Sequence, residues 1–145
     1  MSVIVRFFAA PDHQAAAAVV ERGPEGVFES SYFGNFDPDE ALVEWQGILT
    51  GRGFEELVAA GEPEVVAGPD DGEGPLLLAV STALTEALAV AGPDRIAEAG
   101  RTRSLDRAAD GEVIDPETAV LILGDLAALA RGIGGRGHRL YCWTA

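Results

Sequence analysis

VIVRFF at residues 3–8 and LYCW at residues 140–143 decide the architecture, because these β-branched and aromatic runs stand at opposite ends of the chain. Both alternate faces of Val3–Phe8 are apolar, which predicts a central strand covered on its two sides. Leu140–Trp143 closes the chain as a short strand and is expected to lie beside it. A sheet that joins the first residues to the last makes residues 1–145 one globular domain of the usual size. The expected class is α+β: a small sheet that includes the N-terminal and C-terminal strands, packed with about five helices.

The helices announce themselves by their ends. His13–Glu21 is Ala-rich and stops at Gly23-Pro24. Val27–Phe36 reads as a second strand or extended segment dense in aromatics. Asp37-Pro38-Asp39-Glu40 is a helix start, with Leu42, Trp45 and Leu49 following at helical spacing. Phe54–Ala60 reads as a short helical turn that points Phe54, Leu57 and Val58 inward. Gly61–Gly74 reads as a surface loop. Leu76–Val90 is expected to be helical throughout, although its front, LLLAV, also suits a buried strand. Pro93 opens a helix expected to fade near Gly100. Asp115-Pro116-Glu117 repeats the cap signature before a helix apolar on almost every side, which belongs at the centre of a fold.

Composition narrows the function classes. The net charge is −14, every basic residue is Arg, and residues 1–75 hold 15 acids against 3 arginines. Residues 76–145 hold 9 acids and 7 arginines, so the acidity belongs to the first half. That balance opposes nucleic acid phosphates and anionic membranes as partners and favours a basic protein. No apolar stretch reaches the ~18 residues of a membrane span, and the N-terminus lacks the basic start of a secretion signal. The expected setting is the cytoplasm, with a homo-oligomer admitted.

No cofactor or metal motif stands out. The single cysteine excludes an internal disulfide and a Cys-rich zinc site. His138 and Cys142 are four residues apart, ~13 Å on a strand, too far for a thiol and its base. A buried structural Cys142 is the plainer reading, and His13 reads as solvated helix surface. Asp70, Asp71 and Glu73 lack the spacing of a calcium loop. The glycines at 132–137 follow a helix and precede a strand, the reverse of a phosphate-cradling loop. Arg101, Arg103 and Arg107 form a candidate anion clamp, weighed against a role in offsetting the chain's own acids. Catalytic residues are not assigned.

WQGILTG at 45–51 and RGHRLYCW at 136–143, with the helix over 126–130, resemble the YfbM-like bacterial domain family. The resemblance is to that family's Trp-containing helix and to its last helix running into a closing strand. It implies an α+β fold and carries over no catalytic residues.

Two readings of function follow. The first is a non-enzymatic interaction or regulatory protein whose acidic half meets a basic partner. The second is a small-molecule binding protein or enzyme with a pocket between the aromatic segment 32–45 and the C-terminal strand. That pocket would draw on Tyr32, Phe36, Trp45, His138, Tyr141 and Cys142.

Overall fold

The computed structural model describes residues 4–24, 30–34, 38–68, 74–109, 111, 115–133 and 137–145, with 30–34 described by their backbone. The expectations for Val3, Phe36, the Asp37 cap, the acids at 70–73 and the glycines at 134 and 135 lie outside the described residues. Five strands form one sheet: β1 (Ile4–Ala10), β2 (Ser30–Gly34), β3 (Glu64–Ala67), β4 (Leu76–Ala79) and β5 (Arg139–Thr144). Their order is β2-β1-β5-β4-β3, and all neighbours are antiparallel. The terminal strands are therefore paired directly, as their composition implies, and β1 lies inside the sheet. Ile4 and Ala145 exchange both backbone hydrogen bonds, which clamps the two ends of the chain together.

The helices are α1 (His13–Ala17), α2 (Pro38–Thr50), α3 (Phe54–Ala59), α4 (Thr82–Val90), α5 (Pro93–Ala109) and α6 (Pro116–Gly132). The fold is α+β, with six helices among the described residues. Strand alternation sorts the core into two layers. Val5 and Phe7 of β1, Leu78 of β4, and Leu140 and Cys142 of β5 face the layer shared with α2, α4, α5 and α6. Phe8, Ala10, Leu77, Ala79, Tyr141 and Trp143 face the opposite side, where Ala16 and Val19 cover them. The register agrees, since Phe7, Cys142 and Leu78 form one row and Phe8, Tyr141 and Ala79 the next.

Four expectations are corrected. LLLA at 76–79 is a strand and not the front of a helix, because β4 lies between β3 and β5 with both faces buried and needs apolar residues throughout. The helix begins only at Thr82, where the Ser81 side chain accepts from the Leu84 amide. The segment 61–74, expected to be a loop, contains β3, an edge strand paired with β4 through an irregular register. Helix α5 passes straight through Gly100 to Ala109, because this glycine serves a close helix crossing rather than a stop. Finally, α3 buries Leu57 alone, while Phe54 and Val58 remain 47% and 50% exposed.

Candidate functional site

The residues grouped by the second reading are divided by the sheet. Trp45 and Cys142 lie in the helix-side core, whereas Tyr141 belongs to the opposite face. His138 is half-buried just before β5, and Tyr32 stands opposite Arg6 in the β1–β2 ladder. Phe36 lies outside the described residues. Adjacent residues of one strand point to opposite faces, so Tyr141 and Cys142 cannot line one cavity.

Burial pushes the Cys142 thiol well above its ordinary range, with the nearby charge of Asp39 adding to the shift. A thiol held in its neutral form is a poor nucleophile and a poor metal ligand. Ellman's reagent should accordingly find no reactive thiol in the native protein and one per chain in denaturant. A rapid native reaction would place Cys142 at an accessible surface.

Around Tyr141 the fold assembles a polar cluster with no local sequence signal. The Tyr141 hydroxyl lies 2.8 Å from His13 Nδ1, and His13 Nε2 lies 3.0 Å from Glu64 Oε1. Arg139 approaches the same ring nitrogen at 3.5 Å and donates to the Val80 carbonyl at 3.3 Å. Burial raises the Tyr141 pKa, the charges of Asp12 and Glu64 act in the same direction, and Arg139 opposes them. The phenol is thus neutral at ordinary pH, and the His13 imidazole bridges its hydroxyl to the Glu64 carboxylate through its two ring nitrogens. His13 also meets the Tyr141 ring edge-on, and Phe8 stacks on the same ring. The cluster ties α1, β3 and β5 together. With the Tyr141 side chain fully buried, its chemistry is that of a clamp for α1, the helix that covers this face among the described residues. His13 is therefore no free surface residue, contrary to expectation.

A second cluster joins α2 to α5. Glu40 and Glu44 are one helical turn apart, as are Arg103 and Arg107, so the two pairs face each other as a ladder. Arg107 grips both Glu40 oxygens at 2.6 and 3.3 Å and reaches Glu44 at 3.5 Å. Arg103, only 3% exposed, has its Nε 3.4 Å from Glu44 and its guanidinium 5.6 Å from the Trp45 ring centroid. Burial raises the Glu44 pKa; Arg103 and then Arg107 pull it back, and Glu40 adds a smaller upward push. Of the three arginines offered as an anion clamp, two are thus engaged by carboxylates of α2, and Arg101 is exposed to solvent. Among the described residues, no group of three or more His, Cys, Asp or Glu side chains is placed to hold a metal ion.

The remaining feature is a surface. Residues 52–65 carry Glu55, Glu56, Glu62 and Glu64 against one cation, Arg52, which is held by Glu56 at 3.1 Å. Among these acids stand Phe54 and Val58 on α3 and Val65 on β3, the last 60% exposed. Phe54 and Val58 are i, i+4 neighbours on one side of α3, away from the buried Leu57. No family model, curated protein or solved structure matches the chain.

Proposed function

We propose that the chain is an interaction protein that recognises a basic partner through the acidic, apolar surface of α3 and the segment leading into β3. The observation that carries this reading is the half-exposure of Phe54 and Val58, with Glu55 and Glu56 between them in the helix. Apolar anchors rimmed by charge are the usual anatomy of a protein interface, where the anchors supply affinity and the rim supplies orientation and rate. The charge balance supports the same partner chemistry. Arg52, Arg95, Arg103, Arg107, Arg131 and Arg139 each contact a carboxylate or a carbonyl of the chain itself, so much of the positive charge is already matched internally while the acids remain in excess.

The reading is tested by selecting a displayed random peptide library on the full chain and counter-selecting on Phe54→Ser/Val58→Ser. Enriched peptides should be cationic, carry at least one large apolar side chain, and lose most of their affinity between low and physiological salt. Enrichment of neutral or acidic peptides, or equal binding to the double variant, would count against it. Both substituted side chains are half-exposed, so the variant is expected to fold.

A further inference from the structure

Helix α6 has the composition of a buried element, yet one of its faces is open. Leu121 is 65% exposed beside a groove of about 550 Å³ whose walls include Gly92, Pro93, Ile96, Val120 and Ala127. At the middle of this face is Gly124, where an added Cβ would meet nothing within 4 Å. A glycine in a helix interior costs roughly 1 kcal/mol relative to alanine, and here no contact within the chain requires it. Gly100, by contrast, is needed where α5 crosses α6.

We propose that a second copy of this chain covers the groove, with α6 packed antiparallel on the α6 of its partner about a two-fold axis at Gly124. The argument for that occupant is charge. Glu117, Gly124 and Arg131 are spaced seven apart, so they lie along one line of the helix surface. The line is acidic at its start, bare at its centre and basic at its end, with Glu117 and Arg131 both exposed. Antiparallel pairing about Gly124 sets Glu117 of each copy opposite Arg131 of the other, the self-complementary arrangement that a symmetric dimer demands. The same operation brings Leu121 of each copy to the level of Ala127 of the other, whose buried methyl forms part of the groove floor beside the half-buried Val120. The Arg131 guanidinium donates to the Ala91 carbonyl at 3.0 Å, which holds it at the rim with donors to spare. Asp125 stays at the edge of the contact.

The test is sedimentation velocity on the full chain from ~1 to ~200 µM, since a dimer dissociates on dilution. The wild type should dimerise, and Leu121→Ser should weaken association by more than roughly tenfold while leaving the fold intact. Glu117→Arg and Arg131→Glu each set like charges against one another twice and should be monomeric. Mixed together, these two variants restore both opposite-charge contacts and should form the heterodimer, an outcome that damage to either fold would not produce. A wild type monomeric throughout that range overturns the proposal. So does a dimer indifferent to Leu121→Ser and Arg131→Glu, or a monomer that retains an apolar small molecule in native mass spectra.

Discussion

Arg103→Ala is expected to lower the melting temperature by about 10 °C, the thermal equivalent of roughly 3 kcal/mol in a chain of this size. Arg103 is 3% exposed, so its charge is already withdrawn from water and depends on Glu44 and on the Trp45 face for compensation. Truncation leaves the Glu44 carboxylate largely buried beside Glu40, with the 3.5 Å contact to Arg107 as its remaining ion pair among the described residues, and opens space beside Trp45. Removing one partner of a buried pair strands the other, which is why the loss exceeds what the intact pair contributes. The deficit should also depend on pH. Burial raises the Glu44 pKa above 4.5 in the fold, so the stability contributed by its neutral form is present below 4.5 and lost as pH rises through the folded value. Arg103 restrains that rise, so without it the loss deepens. The gap between variant and wild type should therefore be smaller at acidic pH than at neutral pH. Arg103→Met with Glu44→Leu, which replaces both charges by packing, should recover most of the loss. Denaturant titrations at the two pH values read all of this directly. A deficit below about 1 kcal/mol, or one independent of pH, would show that the α2–α5 ladder carries little of the fold.

How far this arrangement is legible in the sequence depends on the range of each contact. The pairing of β1 with β5 is readable because both runs are rich in β-branched and aromatic residues and the chain has few competitors for a central strand. The parity of β5 corrects the expected pocket, since Tyr141 and Cys142 are adjacent in the strand and face opposite layers. β4 is hidden because a four-residue apolar run has no period of its own, and its length misleads when a capped helix follows two residues later. β3 is hidden because Glu64–Ala67 sits among glycines, prolines and acids that read as loop, and only its ladder to β4 makes it a strand. The ion ladder leaves a partial trace: Glu40 with Glu44 and Arg103 with Arg107 share helical spacing, although nothing local says that the helices meet. The Tyr141 clamp leaves none, because His13 stands 128 residues from Tyr141 and 51 from Glu64. Such a site exists only after the sheet has brought the ends of the chain together.

The crossing of α5 and α6 sets the second large effect. Gly100 is fully inside the contact, and a Cβ built there would lie 3.1 Å from both the backbone nitrogen and the Cα of Val120. In an exposed helix the same change to alanine would stabilise by up to about 1 kcal/mol, by stiffening the unfolded chain and raising helix propensity. Here the neighbour is backbone, which cannot rotate away as a side chain would, so α6 must shift as a body. That shift disturbs Ile122, Leu123 and Leu126, which α6 packs into the core alongside Ile96 and Ala99 of α5. Gly100→Ala should therefore reverse sign and destabilise, and Gly100→Leu should cost about 3 kcal/mol. Hydrogen exchange separates this account from a general loosening. Protection should fall first in α5 and α6, while the β1–β5 ladder, held by its own backbone pairing, keeps its slow amides until global unfolding. Stabilisation by Gly100→Ala would mean that the two helices are free to separate, and that this glycine, like Gly124, is not held by contacts within the chain.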